Sequence, residues 1–189
     1  MTNYAGGVQI GNICMVVCCL FYLVWWSITF NPSKKFPMAP KVVLFLCTLA
    51  AGLAGVAYLV WGMGQLPDAR TTIPNAAIVV GAVVVYIALL LVTNLLMHRQ
   101  VTTELALIVG WTAVELCLVN SLYGAEVFGA GLAVGTAIFI VVCAVVGMAC
   151  YLAYYRLEPV PAFYDGMVPL ILFAVAETVM VILVWWCLR

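Results

Sequence analysis

The chain has 189 residues, of which 68% are hydrophobic and 7% charged, with zero formal net charge and a mean hydropathy of +1.24. Soluble domains carry about 25% charged residues, so a water-soluble globular fold is excluded. The only basic cluster is Lys34-Lys35, which excludes nucleic acid and any partner drawn in by bulk charge.

A membrane-spanning helix needs about 20 mostly apolar residues. Six such segments can be cut from the sequence: Val8–Phe30, Lys41–Met63, Pro74–Met97, Glu104–Tyr123, Gly129–Tyr155 and Gly166–Cys187. The expected fold is all-α, a polytopic integral membrane protein whose residues 1–189 form one domain, a six-transmembrane-helix bundle in the lipid bilayer. The first segment is too long for a signal-peptide core, and no small-residue cleavage pattern follows it, so it is expected to be retained. All eight cysteines lie in apolar segments with no C-x-x-C pair, as expected of buried thiols acting as small hydrophobes.

The connections are short and hold the prolines at 32, 37, 40, 67, 74, 159 and 161, in loops or at helix starts, where a missing N–H matters little. Pro169 is placed in the first turn of the last segment. Orientation follows from Lys and Arg near the helix ends. Lys34, Lys35, Lys41, Arg99 and Arg156 fall on one side, and Arg70 and Arg189 on the other. This bias puts the odd-numbered loops in the cytoplasm and both termini outside, in a plasma (inner) membrane. Trp25, Trp26, Trp61, Tyr123, Tyr154, Tyr155, Trp185 and Trp186 cluster near segment ends, as an interfacial aromatic belt requires.

A faint repeat runs through the chain. Tyr22-Leu23-Val24-Trp25-Trp26 matches Tyr151-Leu152-Ala153-Tyr154-Tyr155, with Tyr86-Ile87-Ala88 between them, which suggests three tandem two-helix hairpins. Helices 2, 4 and 6 would then be equivalent, with Ala51 or Gly52, Glu115 and Glu177 at corresponding positions. Gly131-x-x-x-Gly135 and Ala51-x-x-x-Gly55 are small-residue pairs that let helices approach closely, either within the protomer or across a homo-oligomer interface.

The costly residues are Glu115 and Glu177. A carboxylate at the centre of a spanning helix costs roughly 2.5–3.5 kcal/mol on insertion scales and faces a bundle interior or an aqueous path. Each lies about eleven residues into its segment, roughly 16 Å deep at 1.5 Å per residue, near the middle of a core about 30 Å thick. Segments 4 and 6 run in the same direction, so the two could face a common axis. No Lys, Arg or His lies deep in any segment, so each glutamate must be protonated, hydrated or bound to something that enters. Desolvation and a nearby like charge both favour the neutral form, and at least one of the two is expected to carry a proton at neutral pH.

Around Glu115, the residues Ile108, Trp111, Leu118 and Leu122 recur at helical spacing, with Trp111 one turn away. Phe173, Met180 and Val181 are the corresponding neighbours of Glu177. Asn94 and Thr93 near the inner end of helix 3, Asn120 and Ser121 toward the outer end of helix 4, and Asn12 in helix 1 complete the polar inventory. Interhelical hydrogen bonding is their ordinary role, and marking the mouths of a path is the sharper one. The expected path for a small solute, proton or cation is Glu115, Glu177, Trp111, Asn120 and Asn94.

Enzymatic chemistry finds no footing. There is no Gly-x-Ser-x-Gly, and the single histidine, His98 beside Arg99, cannot supply the paired ligands of a membrane haem or a histidine metal cluster. No cofactor or metal is expected.

Six helices, external termini, three tandem hairpins, this length and a mid-helix glutamate in the last span together resemble the bacterial urea and short-chain amide channels. In that family, six-helix protomers form a ring, and each passes a small neutral solute by aromatic residues. The resemblance covers architecture across the whole chain and transfers no residue roles. Helix 5 departs from it, being Gly- and Val-rich between Gly129 and Gly147 and lacking tryptophan. The expected function is a small membrane channel or transporter. The alternative is a non-transporting accessory subunit packed against a partner.

Overall fold

The computed structural model describes residues 3–67, 73–97 and 103–188, the side chains of 3–5, 96 and 97 excepted. Arg70, His98, Arg99 and Arg189, which enter the sequence argument, lie outside the described residues. Among the described residues there are six helices: α1 (Asn3–Thr29), α2 (Met38–Gly64), α3 (Asn75–Met97), α4 (Thr103–Gly124), α5 (Ala130–Tyr154) and α6 (Pro159–Cys187). All six are long and apolar enough to cross a membrane.

Helices α1, α2 and α6 begin earlier than expected, at Asn3, Met38 and Pro159, and for α2 and α6 the reason is the same. The first N–H groups of a helix have no intrahelical acceptor, so proline is tolerated in the first turn. Helix α2 therefore starts at Met38 and contains Pro40, while α6 starts at Pro159, capped by Glu158, whose carbonyl accepts the Ala162 N–H at 2.9 Å. Pro169 is consequently well inside α6 rather than in its first turn. There it removes one helical hydrogen bond. At 29 residues, α6 is roughly 43 Å long at 1.5 Å per residue, longer than the hydrocarbon core is thick.

The chain divides into two compact units, Met1–Leu66 with Ala149–Arg189, and Pro67–Met148. In the first, α1 packs closely on α2 and also on α6. The α1–α2 contact is built on glycine. A Cβ at Gly62 would stand 2.7 Å from the Val8 backbone nitrogen, one at Gly11 would stand 2.7 Å from Leu59 Cγ, and one at Gly55 would stand 2.8 Å from Met15 Sδ. These pairs, with Gly52 against Cys18, share one antiparallel register. The seam on α1 is Gly7-x-x-x-Gly11, and Gly55 does take part on α2. Gly131 and Gly135 of α5 face open space.

At the other end of α1, Trp26 is 6% exposed and packs with Phe163 and Leu170 of α6. Its indole N–H donates to Phe163 O at 3.2 Å, and its ring occupies the space where a side chain at Gly166 would stand. Trp26 is thus a core residue rather than a member of the interfacial belt, whereas Trp61, Trp185 and Trp186 are exposed.

In the second unit α3 packs on α4. Helix α3 exposes most of its apolar side chains, among them Val80, Val84, Leu91 and Leu95. A bilayer would cover them. Helix α4 is the most enclosed of the six. It ends in a tight turn in which Glu126 has φ 60°, and the Val127 and Phe128 N–H groups both donate to Leu122 O. Phe128 is fully buried beneath that turn.

Candidate functional site

Within the second unit, Glu115 is 0% exposed. It belongs to a stripe of buried residues on α4, Ile108, Trp111, Glu115, Leu118 and Leu122, spaced alternately by three and four. That spacing keeps one face of a helix toward its neighbours, as the sequence indicates. The aromatic wall of Trp111 lies one turn from the carboxyl, and Thr112 is turned back on its own helix, donating to Ile108 O at 2.7 Å.

Asn120 is committed to structure. Its Nδ2 donates to Ile73 O and to Asn75 Oδ1, both at 2.7 Å, while Asn75 Nδ2 donates to Ser121 Oγ at 2.8 Å. The Cys117 thiol closes the group, donating to Asn75 O at 3.7 Å. This cluster ties the start of α3 to the end of α4. Asn94 is exposed, whereas its neighbour Thr93 is buried and donates to Leu89 O.

Within the first unit, Glu177 is also 0% exposed. Its stripe on α6 is Leu170, Phe173, Glu177, Met180 and Val184, all buried. Position for position this repeats the α4 stripe: aliphatic, aromatic, glutamate and two large apolar residues at identical spacing. Counted from the helix ends, Glu115 precedes Gly124 by nine residues and Glu177 precedes Cys187 by ten, so the two depths along their own helices, roughly 14 and 15 Å, still agree. The early start of α6 breaks that agreement when depth is counted from the helix starts.

Helix α2, the third helix of the expected repeat, carries no acidic residue, and its buried residues are Gly55, Leu59 and Gly62. Gly52 admits Cys18 Sγ to within 3.1 Å of where a Cβ would be.

The partner of Glu177 in its unit is α1. Gln9 Nε2 donates to Val181 O at 3.3 Å, and Trp26 meets Phe163, so α1 and α6 run antiparallel in a single register. That register sets Glu177 level with Asn12 and Ile13. Of these, Asn12 is buried, at 0% exposure, and Ile13 exposed. Cys18 lies close enough to sense the charge of Glu177.

Gln9 was not singled out from sequence, and Asn12 only as a general polar residue. The available signal was their spacing of three, which places both on one face of α1. At the far end of α6, Asp165 and Cys150 are joined by a side-chain hydrogen bond. Among the described residues, no group of three or more His, Cys, Asp or Glu is placed to hold a metal ion.

Glu115 and Glu177 therefore sit in separate units, each with an apolar stripe and an aromatic one turn away. Such a setting suits proton uptake and release, or transient binding of a small hydrogen-bonding solute. Compared with known proteins, the chain matches no family model, no curated protein and no solved structure.

Proposed function

We propose that the protein is a small channel or transporter that moves a small solute, a proton or a cation across a plasma membrane, with Glu115 and Glu177 as its two working carboxyls. The observation that carries this reading is the repeated stripe. Two membrane helices each carry a fully buried glutamate, nine and ten residues from the helix end, with an aromatic residue one turn away. An intramembrane carboxyl is costly, and a purely structural role gives no reason for the same costly arrangement to occur twice. Asn120 enters this reading as the residue that holds helix α4, Trp111 as the apolar wall beside Glu115, and Asn94 as a residue at the cytoplasmic mouth. The odd-numbered loops are placed in the cytoplasm and both termini outside.

The test is flux in proteoliposomes. Glu115→Gln and Glu177→Gln should each lower the rate about tenfold or more, or abolish its dependence on pH, with small neutral amides, protons and monovalent cations as the solutes tried. Unaltered flux in both variants would refute the proposal. Absence of any flux in the unmodified protein would favour an accessory subunit.

A further inference from the structure

The α1–α6 seam holds two buried amide oxygens that receive no hydrogen bond among the described residues. Gln9 and Asn12, three residues apart on α1, both spend their amide N–H groups on backbone carbonyls: Gln9 Nε2 on Val181 O at 3.3 Å, Asn12 Nδ2 on Val8 O at 3.1 Å. Those bonds settle which end of each amide is nitrogen and leave Gln9 Oε1 and Asn12 Oδ1 as pure acceptors. Both oxygens are buried, and neither receives a hydrogen bond among the described residues. Asn12 is wholly enclosed. The helix register puts Glu177 at its level on the facing, buried stripe, with Cys18 near enough to sense the carboxyl.

A carboxylate in that position would add lone pairs to a place already rich in them, whereas a neutral carboxylic acid brings one O–H. We propose that the seam is a proton-binding site in which Glu177 holds the proton and donates it to Asn12 Oδ1, with Gln9 Oε1 as the next acceptor along α1. The proton comes from water, the carboxylate becomes a carboxylic acid, and no other bond changes. No other residue on the two helices offers a competing cation, since neither contains Lys, Arg or His. The remaining titratable groups with described side chains are Cys14, Cys18, Cys19 and Tyr22 of α1, Tyr164, Asp165 and Cys187 of α6, Cys47 and Tyr58 of α2, with Lys41 at the end of α2 that meets the C-terminal end of α1, and Cys150, Tyr151 and Tyr154 at the end of α5. The inference deepens the reading of Glu177 as a working carboxyl and rests on it for a role in transport, but the proton itself can be detected without any flux.

The experiment is infrared difference spectroscopy of the full-length protein in liposomes at neutral pH. Subtracting the Glu177→Gln spectrum should isolate a carboxylic acid C=O band that is sensitive to deuterium exchange. Asn12→Leu should shift that band to higher frequency by removing the acceptor of the O–H. If Asn12→Leu does not fold, Asn12→Ser must still move the band. Sodium, potassium or ammonium added at fixed pH should leave it in place. The proposal is overturned if Glu177→Gln removes carboxylate bands instead, if the Asn12 variants leave the band unmoved, or if any of those cations converts it to carboxylate. A flat flux result with the band present would sink the transport reading alone. Altered flux without the band would sink only the proton site.

Discussion

Trp26 shows how much one residue can settle. By its place near a helix end it belongs to the aromatic belt, but its ring fills the gap left by Gly166, and its N–H donates to Phe163 O. The reason is the glycine 140 positions away, which no local pattern couples to a tryptophan. Gly166→Ala forces a methyl into the ring and should cost about 1–3 kcal/mol, the range for overpacking a filled core. Trp26→Phe vacates part of that space, so the double variant should be more stable than the sum of the two single losses predicts. Thermal unfolding in detergent measures all three, and strict additivity would mean that the two residues are not in contact. Glu115 and Glu177 were legible for the opposite reason. Their signal is a charge in an apolar run, which needs no knowledge of the partner.

At the scale of helices, the number and approximate limits of the six spans follow from hydropathy alone. The misplaced starts of α2 and α6 come from reading proline as a boundary where it is tolerated as a first-turn residue. Small-residue motifs were half legible. Gly55 is in the α1–α2 seam, but its counterpart Gly7-x-x-x-Gly11 went unread because a helix begun at Val8 excludes Gly7. Gly131-x-x-x-Gly135 has the pattern, but no close neighbour among the described residues. A sequence motif states that helices can approach, and only packing decides whether they do.

Two substitutions separate these cases. Gly62→Leu places a side chain against the Val8 backbone and should destabilise the α1–α2 pair by about 1–3 kcal/mol. Gly135→Leu should change monomer stability by at most about 1 kcal/mol, in the stabilising direction, because it replaces a flexible residue by a good helix former. Equal melting temperatures for the two variants would contradict the seam.

For the whole molecule, sequence could not supply the grouping of helices. The division falls inside α5, after Met148, within an unbroken apolar run that carries no compositional mark of a boundary. Both glutamates were legible, but their assignment to different units was not. Topology belongs to this scale as well. The imbalance of Lys and Arg predicts that a reporter enzyme active only outside the cytoplasm will be active when fused after Arg189 and inactive when inserted between Ser33 and Lys34. The reverse pattern would invert the orientation and place the proposed mouths on the opposite sides.

The clamp among Asn75, Asn120 and Ser121 bears on how such a chain is made. The least apolar of the six helices, α4, carries Glu104 and Glu115, while the most apolar, α3, immediately precedes it. If the chain is inserted from its N-terminus, α3, with Asn75 at one end, would reach the bilayer before α4. As α4 follows, its Asn120 and Ser121 would find bonding partners already in place, so a segment that would insert poorly alone would be drawn in as the second arm of a hairpin. The order of the two helices along the gene is then itself part of the folding instruction, and exchanging them would strand the glutamate at the translocation machinery.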